Sequence, residues 1–146
     1  MPKIEFDVET TAPPEKVLEA GRDFSDRRPD IWPGISREYY EVHETGPGFA
    51  EVTEGGKEFG GVWARERYEW AEGSNKVTGT VVDSNIFKSG VWEMTVEPRD
   101  GGGSRVHVLN HRQMKGKGRL ISPILMVVGK RLLAKTLKED TLSQLE

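Results

Sequence analysis

From residue 36 to residue 113 the chain alternates apolar and polar residues in six short runs, each closed by turn-forming residues. The breaks are Gly46-Pro47-Gly48, Gly55-Gly56 with Gly60-Gly61, Gly73-Ser74-Asn75, Asp83-Ser84-Asn85, and Asp100 through Ser104. A period of two marks a strand with one buried face, and connections this short join antiparallel neighbours. The pattern predicts a meander. At the N-terminus Ile4, Phe6 and Val8 alternate with Lys3, Glu5, Asp7 and Glu9, which adds a seventh strand.

Taking the more apolar parity of each run gives an inward set: Tyr40 and Val42, Ala50 and Val52, Val62, Ala64 and Tyr68, Val77 and Val81, Trp92, Met94 and Val96, then Val106 and Val108. The other parity holds Trp63, Arg65, Arg67 and Glu69 in one strand and Glu93 and Glu97 in another, which suits water. A sheet with one apolar face needs a cover. Thr10 through Glu15 offers an N-cap hydroxyl, prolines that a first helical turn tolerates and an early carboxylate, so a short helix is expected to about Phe24. Arg27 through Gly34 reads as a second short turn of helix, stopped by Pro33 and Gly34. From Pro123 to the end only Gly129 interrupts good helix formers, which predicts one long C-terminal helix. Its start, Ile124 through Val128, is apolar on nearly all sides and so must be buried, whereas its later part carries Leu132, Leu133, Leu137, Leu142 and Leu145 among charges. The fold class is α+β: a curved seven-stranded antiparallel sheet, two short helices after strand 1, and a long C-terminal helix over a cavity.

No composition break or linker divides the 146 residues, so one domain, 1–146, is expected. The absence of cysteine removes disulfides, thiolate nucleophiles and Cys-ligated metal sites together. The N-terminus lacks the apolar stretch of a signal peptide, and the longest apolar run is far below the ~20 residues that cross a bilayer, so a cytoplasmic protein without a transmembrane segment is expected. Residues 112 to 138 hold eight Lys or Arg and no acid. Such a segment can touch an anionic membrane surface, but basic residues along a helix more often form its solvated face.

Among candidate functional residues, the chosen parity turns Glu66, Asn110 and Arg112 into an otherwise apolar interior, with Asp83 near a strand end. A buried carboxylate must be paired, wetted or protonated. A few convergent polar groups are how an apolar pocket orients a ligand, and a carboxyl of raised pKa can act as acid or base. A buried Glu66–Arg112 ion pair, or a bulge that returns both residues to water, accounts for the same residues without function. Trp32, Tyr40, Tyr68, Trp70 and Trp92 suit either ordinary core or stacking on a ring-bearing ligand. His107 and His111 have a spacing that joins two imidazoles on a helix, but on a strand it separates them by ~13 Å. No metal site and no cofactor are expected. Gly101-Gly102-Gly103 is a turn between strands, and no nucleophile elbow or phosphate loop occurs, so neither nucleophilic catalysis nor a nucleotide or nucleic-acid partner is expected.

The order of elements, together with Ala12-Pro13-Pro14-Glu15-Lys16-Val17, Asp23-Phe24, Trp32-Pro33-Gly34-Ile35 and the terminal amphipathic helix, resembles the START-related, Bet v 1-like helix-grip (SRPBCC) superfamily, which includes the polyketide cyclase/dehydrase and lipid-transport family. The resemblance covers essentially the whole chain. It implies a deep cavity between sheet and long helix, used by different members for hydrophobic ligands, polyketide cyclisation or partner binding. The leading expectation is reversible binding of a hydrophobic small molecule, such as a lipid, polyketide or isoprenoid, by Trp32, Tyr40, Glu66, Tyr68, Trp92, Met94, Asn110, Arg112 and Leu125, with gates near Trp32 and near Gly116 to Pro123. A second is a cyclase or dehydratase on a poly-β-keto chain, with Glu66 or Asp83 as base and Tyr68 or Arg112 polarising a carbonyl. A third is an interaction module that docks through the basic terminal helix and has a filled core. The pattern specifies no oligomeric state.

Overall fold

A computed structural model of the chain describes residues 3–57, 61–116 and 130–146. The expected seven strands are β1 (Lys3–Thr10), β2 (Glu41–Gly46), β3 (Phe49–Gly56), β4 (Val62–Glu69), β5 (Lys76–Ser84), β6 (Phe87–Pro98) and β7 (Ser104–Met114). They form one antiparallel sheet in the order β1-β7-β6-β5-β4-β3-β2. Consecutive strands from β2 to β7 are neighbours because short turns join them, and β1 closes the far edge against β7. The sheet is curved, as in helix-grip proteins.

Two short helices follow β1: α1 (Pro14–Gly21) and α2 (Arg28–Ile31). Proline sits in the first turn of each, where its missing N–H costs no helical bond. No side chain caps α1, because Pro13 occupies the N-cap and the Thr10 hydroxyl instead accepts a hydrogen bond from the Ala12 N–H at 3.2 Å. The helix also ends earlier than expected: Gly21 closes it, three residues before Phe24. A single 3-10 turn (Arg37–Tyr39) leads into β2.

The C-terminal helix is described from Lys130; its predicted apolar start, Leu125 included, lies outside the described residues. It does not stay α to its end. A π turn spans Leu137–Thr141 and a 3-10 turn Leu142–Gln144, and the widened turn brings Leu137, Thr141 and Leu142 to the buried side together.

The core lies between the inner face of the sheet and the helices, with Val17 of α1, Val52, Val77, Met94, Val96, Val106 and Leu142 at its centre. One residue departs from the predicted inner face, and a bulge in another strand shifts the parity that follows it. Val42 is exposed on edge strand β2, next to a register shift at His43. Val82 bulges out of β5, so that Glu66 pairs with Val81 but Arg65 pairs with Asp83. One extra residue reverses the parity beyond it.

Candidate functional site

That bulge decides which polar residues face inward. Asp83, expected near the interior, lies exposed on the outer face opposite Arg65, and Ser84 takes the inner position opposite Ala64. The Ser84 hydroxyl donates to the Trp63 carbonyl at 2.7 Å and accepts from the Ile86 and Phe87 N–H groups, which fixes the β5–β6 turn. Asp83 is therefore no candidate base for chemistry in the interior.

Beyond the bulge the expected residues converge. Glu66 on β4 is 4% exposed, and its Oε1 accepts from Arg112 Nη2 at 2.8 Å. Arg112 Nε donates to Asn110 Oδ1 at 2.7 Å, and the Tyr68 hydroxyl donates to Glu66 Oε2 at 3.2 Å. The alternation of β7 sets Asn110 and Arg112 on one face, and that of β4 sets Glu66 and Tyr68 there. Two glycines make the room. A Cβ on Gly79 would stand 2.8 Å from the Tyr68 ring, and one on Gly90 would stand 3.0 Å from Arg112 Cγ.

These groups line a cavity of about 370 Å³ with Trp32, Trp92, Phe87 and Leu137. Trp92 meets Trp32 edge-on at 6.3 Å and Tyr68 at 5.9 Å, so three aromatic rings form a corner. The segment from Trp32 to Ile35, expected as a gate, is part of the wall; residues 117–123 of the other expected gate lie outside the described residues. Two predicted contacts stand elsewhere. Met94 is fully buried in the solid core, packed from the sheet toward Gly21 of α1, and Tyr40 is half-buried beside the core with its hydroxyl donating to the Ser25 carbonyl at 3.1 Å. Burial pushes the Tyr40 phenol up to about 12. Trp70 stacks on Phe24, away from the cavity.

A second charged pair escaped the sequence reading. Arg28 of α2 is 2% exposed, and its Nε donates to Glu54 Oε2 at 3.0 Å. Its Nη1 donates to the Gly21 and Asp23 carbonyls, and its guanidinium lies 4.1 Å from the Phe24 ring centroid. Both residues line the cavity. The signal was present in β3: if Ala50 and Val52 point inward, so does Glu54.

Burial raises the Glu66 pKa, and Arg112 works against that rise. Burial also lifts the Tyr68 phenol well above its ordinary value, and the carboxylates of Glu54 and Glu66 push it the same way. Tyr68 therefore keeps its proton as a donor. The site can accept an apolar ring, donate hydrogen bonds through Asn110, Arg112 and Tyr68, and offer the Glu66 carboxyl, whose pKa burial raises. Among the described residues no cluster has the geometry of a metal site, and His107 meets Asp7 and Glu5 on the outer face.

The family model for polyketide cyclase / dehydrase and lipid transport proteins matches residues 1–146. The chain belongs to this family. A START superfamily protein from Mycobacterium smegmatis is 17% identical with a TM-score of 0.78, all of each chain being covered. The Zhui aromatase/cyclase from Streptomyces sp. R1128 is 16% identical with a TM-score of 0.69, over 98% of this chain and 88% of that chain. Ara h 8.0201 is 18% identical with a TM-score of 0.69, over 98% and 96% of the two chains. At such identities the likeness establishes the fold: START-like, Bet v 1-like helix-grip. No curated protein matches the sequence. Among the described residues no helix is long and apolar enough to cross a membrane.

Proposed function

We propose that this family member reversibly binds a hydrophobic, ring-bearing small molecule in the cavity between its sheet and C-terminal helix. The observation that carries the reading is the cavity itself: an aromatic corner of Trp32, Tyr68 and Trp92 beside the Asn110–Arg112–Glu66–Tyr68 network. A protein that acts only by docking through its surface has no need of an internal space walled by paired charges, and such a space is how small-molecule sites are built. Native mass spectrometry of freshly purified protein, followed by solvent extraction, tests it. The expected result is an apolar molecule that co-purifies with the wild type and is lost from Arg112→Ala. A protein that comes clean, with thermal stability indifferent to a panel of lipids and aromatic polyketides, ends the reading.

The desolvated Glu66 favours a second reading, a cyclase or dehydratase. Ionised Glu66 would take a proton from a carbon between two carbonyls, Arg112 or Tyr68 would polarise the acceptor carbonyl, and the new C–C bond would be followed by loss of water. Turnover of a poly-β-ketone thioester into a ring product, abolished in Glu66→Gln, would support it. Unchanged turnover in that variant would remove Glu66 from the chemistry.

A further inference from the structure

Asp100 is the one aspartate or asparagine in the chain that a glycine follows. It stands at the tip of the hairpin that joins β6 to β7, where Gly101, Gly102 and Gly103 come in succession with φ of 83°, 99° and 85°. That left-handed region suits glycine alone without strain. The three glycines are held unequally. A Cβ on Gly103 would stand 2.3 Å from the Thr10 carbonyl oxygen, so this residue is packed against β1, whereas a Cβ on Gly101 or Gly102 would meet nothing within 4 Å.

The turn closes around the Asp100–Gly101 link rather than through it. The Arg99 N–H donates to the Gly103 carbonyl at 3.2 Å and the Gly102 N–H to the Arg99 carbonyl at 3.1 Å. The adjacent guanidinium is engaged elsewhere, with Glu9 at 3.2 Å and with the Gly102 carbonyl. Among the described residues, neither the Gly101 N–H nor the Asp100 carboxylate has a hydrogen-bond partner, and both residues are exposed. Such a carboxyl group can react with the amide that follows it. The Gly101 nitrogen attacks the Asp100 side-chain carboxyl carbon, a C–N bond forms, and water leaves with a carboxyl oxygen and the amide proton, closing a five-membered imide. Water then adds back. Addition at the side-chain carbonyl restores aspartate; addition at the main-chain carbonyl breaks the original peptide C–N bond, so that the chain runs through the former side chain and a free α-carboxylate remains. A bulky following residue or a fixed backbone prevents the ring from closing. Asp83 supplies the contrast: it precedes serine, but Ser84 is 2% exposed with its hydroxyl tied to three backbone groups, and the β4–β5 ladder keeps both residues extended.

We propose that Asp100 is a self-modification site, at which the intact protein converts the Asp100–Gly101 peptide link to isoaspartate. The hairpin tip lies apart from the cavity, none of whose lining residues falls between 97 and 105. The inference is therefore independent of the ligand-pocket reading.

Prolonged incubation of the purified full chain at neutral pH and body temperature, followed by digestion and electron-transfer fragmentation, tests the proposal. The fragmentation separates isoaspartate from aspartate although their masses are equal, and a free peptide of residues 97–106 serves as the reference. Isoaspartate is expected at Asp100 at a rate within about ten-fold of the peptide's, because local opening of an unbonded turn costs little free energy. Over the same period Asp83 and the other aspartates should stay unmodified. Asp100→Glu should abolish the reaction, since the six-membered imide it would need forms far more slowly. Asp100→Asn should react faster than wild type, releasing ammonia in place of water. A folded-state rate slower than that ten-fold limit overturns the proposal, because the turn would then be holding the link closed to the reaction. So does isoaspartate at Asp83 or elsewhere at an equal rate, or an Asp100→Asn protein that stays intact.

Discussion

The inner face of the sheet is dry at one end and charged at the other, although the same strands build both. Along β7 the inward positions run Val106, Val108, Asn110, Arg112; along β3 they run Ala50, Val52, Glu54. At the dry end Val77 pairs with Met94 and Val96 with Val106, all at 0% or 1% exposure. At the other end Trp92 pairs with Asn110, Gly90 with Arg112, and Val52 with Glu66. Antiparallel pairing would be served equally well by apolar residues throughout. Buried ion pairs are often no better for stability than well-packed hydrophobic substitutes, so the charged end is poorly explained as reinforcement of the fold and better explained as a lining.

The largest effect that could break this comparison is in the Arg28–Glu54 pair. Arg28→Met leaves Glu54 as an unpaired buried charge and is expected to cost about 3–5 kcal/mol in chemical unfolding. Adding Glu54→Leu should return most of that loss. A single variant as stable as wild type would mean that Glu54 is already hydrated, and the two ends would then differ less than their burial implies. Next in size is the dry end, where Met94→Ala removes a fully buried side chain and should cost about 2–5 kcal/mol while leaving ligand retention intact. Arg112→Ala should show the opposite balance, with the larger change in retention.

Most of the fold was legible because periodicity is a local signal: the seven strands, their short turns and the two helices each announce themselves within a few residues. The site was only partly legible. Glu66, Asn110 and Arg112 follow from parity alone, and each lies on the predicted face. Asp83 misled because the bulge at Val82 depends on how β4 and β5 pair, which no residue within β5 signals. Arg28 was hidden for another reason: a buried arginine in a short helix looks like any surface arginine until its partner on β3, 26 residues away, is brought beside it. Tyr68 and Met94 were equally plausible wall residues by parity, and only the packing of α1 over one end of the sheet separates them.

A smaller effect, confined to the charged end, concerns acid. Burial raises the Glu66 pKa above 4.5, so the folded protein holds this proton more tightly than the unfolded chain does. Its contribution to stability is therefore greatest below pH 4.5 and declines as pH rises through the raised folded value, with Arg112 limiting the decline. Glu66→Gln removes this dependence. Unfolding free energies measured at several pH values should show wild type losing ground against the variant across that window. Parallel curves would mean that Arg112 cancels the burial altogether.

The smallest expected effect lies on the outer face and serves as the control for the inner one. His107 Nδ1 lies 2.7 Å from Asp7 Oδ1 and its Nε2 3.0 Å from Glu5 Oε2. The hydrogen bond to Asp7 raises its pKa above 6.5, burial opposes the rise, and Glu5 adds to it. The folded state again holds the proton more tightly, so this contribution is complete below pH 6.5 and is lost as pH rises through the higher folded value. Because the imidazole is exposed, water and salt screen it, and the melting temperature should fall by no more than about 2 °C across the window. His107→Gln should flatten that slope, and added salt should shrink it in wild type. The Glu66 slope, arising in a desolvated place, should resist the same salt. If salt instead flattened both slopes equally, the charged end would be as wet as the surface, and the contrast between the two ends of the sheet would lose its electrostatic basis.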